Sequence, residues 1–300
     1  MPDKNKDGLP IEGLIISGVS SFYNVMLCDG RIIRAKGRGA IKRKGFVIKA
    51  GDRVRLIENP GGDGIIEEVL PRFNTFERPA ISNVELFGIV FAPENPEPNY
   101  ITIDKFIISA ASSGAETFVI LNKADLVDRK KIERISQRFL NAYDVAVVST
   151  LTGEGFDRLR KVISGHVTAL TGQSGVGKSS IVNKLIPEAD MTVGSTSKKT
   201  SHGRHTTRHS EIFSLPTGGM IFDTPGFTSF DLTEVQASEL ADYYPEIRDI
   251  AEACRFNDCR HISEPDCAVR RDVEAGVINS GRYESYVRIY NELKERERMR

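Results

Sequence analysis

Tryptophan is absent from these 300 residues, cysteine occurs four times, and neither sign of charge is in excess, since Lys+Arg and Asp+Glu both total 41. No apolar run approaches the length of a membrane helix, so a membrane partner is not expected. The opening Met-Pro-Asp-Lys-Asn-Lys-Asp is charged and lacks the apolar stretch of a secretory signal. Together these absences point to a reducing cytoplasm, where cysteines read as metal ligands or free thiols rather than disulfides. There is no internal repeat and no low-complexity tract. At 40% hydrophobic and 27% charged residues, the composition is that of a soluble globular protein with length for two or three domains. The balanced total hides an uneven distribution: ten Lys/Arg and one acid, Asp52, fall between Arg31 and Arg55.

Residues 10 to about 70 hold short β-rich runs broken by glycines: 14–16, 23–27, 31–34, 45–48, 53–57 and 64–66. Asp29-Gly30 is a hairpin turn signal. So many short strands in so few residues predict a small closed barrel of OB-fold type. Arg34, Lys36, Arg38, Lys42, Arg43 and Lys44 would give it a basic face suited to RNA phosphates. Cys28 in this region reads as a small apolar residue. Residues 71–79, bounded by prolines, read as a linker. Strands and helices then alternate: strand 86–91, helix 101–111, strand 117–121, helix 128–141, strand 145–148, helix 156–163. That rhythm predicts a mostly parallel sheet covered on both faces.

Gly172-Gln173-Ser174-Gly175-Val176-Gly177-Lys178-Ser179 matches G-x-x-x-x-G-K-[ST], between an apolar strand, 166–171, and a helix through Ser180 that Pro187 stops. Glycines let the backbone fold tightly enough to aim several N–H groups at phosphates. Lys178 would face the β and γ phosphates, and the Ser179 hydroxyl Mg²⁺. Asn122-Lys123-Ala124-Asp125 at a strand end matches N-K-x-D. A carboxylate at Asp125 accepts from both guanine N–H groups, whereas adenine would leave it unmatched; its bland alternative is a helix cap. Lys123 can lay its stem along the base and Asn122 can brace the loop. Ser149-Thr150 resembles a second base-contacting loop.

Further on, Met220-Ile-Phe-Asp-Thr-Pro-Gly226 is a strand ending in D-x-x-G, with Asp223 for Mg²⁺ through water and the Gly226 N–H for the γ-phosphate. The intervening 194–210 is rich in Ser, Thr, Lys and His and has no acid, as expected of a switch segment ordered by ligand. Its Gly203-Arg204-His205-Thr206-Thr207 core offers hydroxyls to Mg²⁺. Phe227 stands where many GTPases carry a water-orienting glutamine, and His205 is a candidate for that task. The guanine motifs precede the phosphate loop rather than follow it. Joining old termini and opening new ones preserves such a site, so the pattern is that of a circularly permuted GTPase domain. Near the C-terminus, Cys254-x₄-Cys259-x-His261-x₅-Cys267 supplies three thiolates and an imidazole for a tetrahedral Zn²⁺. Tyr283, Tyr286, Tyr290 and Leu293 recur at helical spacing and read as a core stripe.

A basic small barrel, a permuted GTPase and a Cys₃His domain in one chain resemble the RsgA family, the small-subunit-dependent GTPases of bacterial ribosome biogenesis. The resemblance covers nearly the whole chain. It rests on Asn122-Lys-Ala-Asp125, the phosphate loop through Ser180, Gly203-Arg-His-Thr-Thr207, Asp223-Thr-Pro-Gly226 and the four cysteine and histidine ligands. It implies an OB-fold-like RNA-binding barrel over 1–72, a circularly permuted GTPase domain over 73–232, and a mostly helical zinc domain over 233–300. His205 is thereby implicated in hydrolysis, and Thr207, with Thr206 as the alternative, in holding Mg²⁺ beside Ser179. The implied partners are the small ribosomal subunit, its rRNA and a guanine nucleotide, with the protein acting as a cytoplasmic monomer. Two other classes stay open: a GTPase whose barrel binds a protein, and an RNA-binding adaptor whose nucleotide is only structural.

Overall fold

The computed structural model describes residues 10–39, 41, 46–77, 79–186, 210–223 and 232–299. Lys42-Arg43-Lys44, the 194–209 part of the expected switch segment with His205, Thr206 and Thr207, and Gly226 with Phe227 lie outside them.

Strands β1 (Ile11–Val19), β2 (Phe22–Leu27), β3 (Ile32–Gly37), β4 (Arg53–Glu58) and β5 (Gly64–Val69) close into a barrel in the order β1-β2-β3-β5-β4. The period of two decides which side chains fill it: Ile33 and Ala35 of β3 point in, while Ile32, Arg34 and Lys36 point out. Ile15, Val25, Val54, Leu56 and Ile66 complete the interior. Gly30 takes the positive φ (83°) of the Asp29-Gly30 turn, and Cys28 beside it is exposed rather than packed as an apolar residue. The strand expected at 45–48 does not form among its described residues. Phe46 and Val47 are exposed while Ile48 joins the barrel core, and the Val47 carbonyl accepts from Arg72 Nη2 at 2.6 Å.

The expected linker is also corrected, for it is strapped down. β6 (Thr75–Glu77) pairs with β7 (Ala80–Ser82). The fully buried Asp52 carboxylate accepts from Arg72 Nε and Nη2, each at 2.7 Å, and from Ser82 Oγ at 2.6 Å. The buried Lys49 ammonium donates to Thr75 Oγ1, the Phe76 carbonyl and Glu77. Buried charges persist only when satisfied, and these bonds cross from barrel to strap, while the Lys49 N–H adds one to Asp52 from within the barrel. A Cβ at Gly51 (φ 93°) would lie 2.0 Å from the Ser82 carbonyl oxygen and 2.9 Å from the Phe222 ring, a measure of how closely barrel and sheet approach.

The central domain runs β8 (Leu86–Phe91), α1 (Tyr100–Ser112), β9 (Glu116–Leu121), α2 (Arg129–Gln137), β10 (Val145–Val147), α3 (Phe156–Ile163), β11 (Val167–Thr171), α4 (Lys178–Leu185), β12 (Glu211–Ser214) and β13 (Met220–Asp223). The sheet order is β10-β9-β8-β11-β13-β12, parallel except for the edge strand β12. β8 is buried at all six positions, as a central strand with helices on both faces must be. β12 was not expected; its Glu-Ile-Phe-Ser carries two apolar residues after a polar stretch, too short a signal to read. From β8 the chain steps outward through β9 to β10, then returns to β11 and builds toward the opposite edge. The carboxyl ends of β8 and β11 thus form the switch point at which open α/β sheets hold ligands.

A 3-10 helix (Ala237–Tyr243), α5 (Pro245–Ala251), α6 (Ala268–Glu274) and α7 (Ser280–Arg298) make the C-terminal helical domain. Leu240, Tyr244, Ile247, Ile289 and Leu293 form its core with Tyr286, so the tyrosine stripe is core, as its spacing predicts. α7 docks on α1 and on the end of α2 through buried charge. Arg282 Nη1 donates to Asp104 Oδ1 and its Nε donates to Glu246 at 2.7 Å, with the guanidinium 4.5 Å from the Tyr244 ring centre. Arg138 joins from the GTPase domain, donating to the Gly281 carbonyl at 2.6 Å and to Ser285 Oγ at 2.8 Å.

Candidate functional site

The phosphate loop leaves the end of β11 with Gly172 at φ 145°, Gly175 at 82° and Gly177 at 96°. These values keep side chains out: a Cβ on Gly172 would sit 2.0 Å from the Val90 carbonyl oxygen of β8. Gly177 precedes α4 without a side-chain cap, so the helix presents the N–H groups of its first turn at its positive end. Val176 is buried and anchors the loop, Gln173, Ser179 and Ser180 are half-buried, and Ser174 and Gly175 are exposed. Lys178 Nζ donates to the carbonyls of Gly172 at 2.7 Å and Gln173 at 2.9 Å, curling across the loop. Burial pushes its pKa down to about 8.

The N-K-x-D residues follow β9 and lie beside this loop. Asn122, fully buried, donates from Nδ2 to the Val176 carbonyl at 2.8 Å. A Cβ on Gly177 would stand 2.3 Å from that same nitrogen. Residues 54 positions apart, in motif groups of swapped order, are therefore in direct contact. Asp125 is exposed and accepts from the buried Ser149 Oγ, which also accepts from the Thr152 N–H at 3.1 Å. The cap of α2 is Asp128 rather than Asp125, so the bland alternative for Asp125 is not taken. Lys123 has a left-handed backbone (φ 60°) and donates its ammonium to the Asn95 carbonyl. The β8–α1 loop around Asn95 was missed as part of the site; Asn95-Pro96 is a turn signal, but nothing in sequence spacing places it against Lys123.

Asp223 ends β13, two strands from β8 across the switch point. Its Oδ1 is buried with no hydrogen-bond partner among the described residues, and burial, followed by the facing Glu211, raises its pKa. A carboxylate and the Ser179 hydroxyl are hard oxygen donors that suit Mg²⁺.

In the C-terminal domain the metal-ligand atoms of Cys254, Cys259, His261 and Cys267 all lie within 4.8 Å of one another. Cys254 Sγ and Cys267 Sγ are 3.9 Å apart, and each is 3.5 Å from His261 Nδ1. Tetrahedral zinc, with Zn–S about 2.3 Å and Zn–N about 2.0 Å, demands about 3.8 and 3.5 Å for those separations. The donor set fits. His261 is left-handed (φ 59°), and burial lowers its pKa, favouring the neutral ring that a metal requires. Glu264 accepts three backbone N–H groups, from Arg260, Ile262 and Ser263. From α7, Tyr283 Oη donates to the His261 carbonyl at 2.7 Å and Tyr286 Oη to the Arg260 carbonyl at 2.8 Å.

Comparison with known proteins agrees with this geometry. The family model described as RsgA GTPase matches residues 69–233, and that described as RsgA N-terminal domain matches residues 12–66. The small ribosomal subunit biogenesis GTPase RsgA of Geobacillus kaustophilus is 39% identical over 290 residues, 95% of this chain and 98% of that protein. That of Ruminiclostridium cellulolyticum is 38% identical over 287 residues, 94% of each. Among solved structures, YjeQ from Thermotoga maritima has a TM-score of 0.82 and 32% identity, covering 95% of this chain and 99% of that one. YloQ, described as a circularly permuted GTPase, has a TM-score of 0.83 and 29% identity over 98% of this chain and 99% of its own.

Proposed function

Because the chain belongs to the RsgA GTPase family, and is accordingly a circularly permuted GTP hydrolase of small ribosomal subunit biogenesis, we propose that it is a switch in late subunit maturation, binding the subunit's rRNA and activated by it. The observation that carries the nucleotide site is the Asn122–Val176 hydrogen bond, which joins the two motif groups. Three units divide the work: a barrel to residue 72, a GTPase domain over 73–232 and a zinc domain from 233. In the pocket, the backbone from Gly172 to Ser180 holds the phosphates and Lys178 exchanges its two loop carbonyls for phosphate oxygens. Asp125, oriented by Ser149, reads guanine, and Lys123 flanks the ring. Ser179 and Thr207 would hold Mg²⁺ bound with GTP, with Asp223 acting through water, and the ion would supply positive charge to the phosphate oxygens. Gly226 senses the γ-phosphate and His205 positions the attacking water. Cys254, Cys259, His261 and Cys267 would hold Zn²⁺, which would stabilise this region structurally, because four protein donors match a closed tetrahedral site.

Support for RNA contact lies on the barrel's outer face. Arg34 and Lys36 sit over the Phe22 ring at 4.0 and 4.5 Å, interleaving basic and aromatic groups on paired strands. No helix among the described residues is long and apolar enough to cross a membrane, and the protein is taken to work as a cytoplasmic monomer. The test is GTP turnover against purified small-subunit concentration. Saturable stimulation is expected. Stimulation by a ribosome-free protein extract instead would make the barrel a protein-binding module, and absence of turnover under all conditions would reduce the nucleotide to a structural ligand.

A further inference from the structure

The loop between β8 and α1 crosses the carboxyl ends of the strands that carry the nucleotide site. Glu94 forms an ion pair with Lys131 of α2. Asn95 adopts a left-handed backbone, φ 52°, and its carbonyl oxygen accepts from the Lys123 ammonium. Pro96 Cδ lies 3.8 Å from the position a Cβ would take on Gly175, against the phosphate loop. Asn99 closes the loop by capping α1, its Oδ1 accepting from the Thr102 N–H at 3.1 Å. Left-handed non-glycine residues are uncommon and, at a site, point to a constraint worth explaining. Here two of them, Asn95 and Lys123, meet in one hydrogen bond.

We propose that Asn95 is a positioning residue for the nucleotide base: its left-handed backbone directs a carbonyl that tethers the Lys123 ammonium and fixes the lysine stem as a wall for the purine ring. A free lysine would have to lose its rotamer freedom on binding, and a tethered one has lost it beforehand. Asn95 acts through Lys123 and touches no reacting atom. Asparagine suits the position because it tolerates the left-handed region; glycine tolerates it better, alanine poorly, and valine scarcely at all. The inference rests on the nucleotide site proposed above and concerns the base alone, since the phosphate loop keeps its own brace through Asn122.

The test uses the full chain, with GDP and inorganic tripolyphosphate as probes in calorimetry. Asn95→Val should weaken GDP roughly tenfold, the scale of a hydrogen bond to a charged group, while tripolyphosphate affinity stays within about twofold. Asn95→Gly should restore GDP affinity and Asn95→Ala should fall between, which keeps the idea open to refutation even if the valine variant folds poorly. In a Lys123→Ala background, Asn95→Val should have no further effect on GDP. Wild-type GDP affinity in both Asn95→Val and Asn95→Ala would overturn the proposal. So would parallel loss of tripolyphosphate, or an undiminished effect without Lys123. A wild-type protein that fails to prefer GDP over ADP would instead overturn the nucleotide-site reading itself, so the two failures are distinct.

Discussion

Replacing Asn122 by alanine removes a side chain that joins the guanine motif to the phosphate loop. Its Nδ2 donates to the Val176 carbonyl at 2.8 Å and the residue is fully buried. Its Oδ1 has no partner among the described residues, so truncation forfeits a single bond in the free protein. The cost is that bond plus a buried carbonyl left without a donor, about 1–3 kcal/mol. Expressed in the loop that must hold phosphates, this is about a five- to 150-fold loss of nucleotide affinity. Asn122→Asp should be worse, because it aims a carboxylate at a carbonyl oxygen. Unlike the valine substitution at Asn95, both should weaken tripolyphosphate as well as GDP, since the brace acts on the phosphate loop. Titration of GDP and tripolyphosphate, with circular dichroism to verify folding, reads this out. GDP affinities within about twofold of wild type in both variants would refute the brace.

Protonation should be linked to nucleotide binding through Lys178, whose pKa burial lowers to about 8. Phosphates stabilise the ammonium and raise that value, so the gain is complete below pH 8 and fades as pH rises above it. Calorimetry in buffers of different ionisation enthalpy should find proton uptake that grows from pH 7.5 to pH 9; pH-independent uptake near zero would contradict it. Elemental analysis should find one Zn²⁺ per chain, lost in Cys254→Ser. Chelation should remove hydrogen-exchange protection from 254–267 while the six-stranded sheet keeps its own, because the Tyr283 and Tyr286 bonds tie the knuckle to α7 and not to the sheet. Asp104→Ala leaves Arg282 with Glu246 alone and takes from Arg138 its carboxylate partner in a buried junction, and should cost about 3–5 kcal/mol in urea unfolding; a loss under about 1 kcal/mol would mean the junction is not buried.

Much of the site is legible along the chain because its chemistry is local. A phosphate cradle needs glycines at fixed offsets from a lysine, and three thiols with an imidazole inside fourteen residues have few other uses. Alternating apolar strands and helices announce a parallel sheet in the same way. Errors fell where local signal and tertiary context part company. The apolar 45–48 reads as a strand, yet Phe46 and Val47 find no partner strand and lie on the surface. The proline-bounded 71–79 reads as a linker, yet Arg72 and Thr75 meet buried charges from the barrel. β12 pairs as an edge strand only because β13 is there to receive it.

By itself, then, the order of residues determined the three kinds of unit, the nucleotide chemistry, the Cys₃His donor set and the permutation, all of which rest on side-chain type and short-range spacing. Only the folded chain decided which distant residues meet. Asn122 on Val176, Asn95 on Lys123 and Asp104 on Arg282 depend on sheet order and helix docking, set by burial of apolar faces that many sequences could achieve. Spacing along a chain carries no record of such separations; packing does.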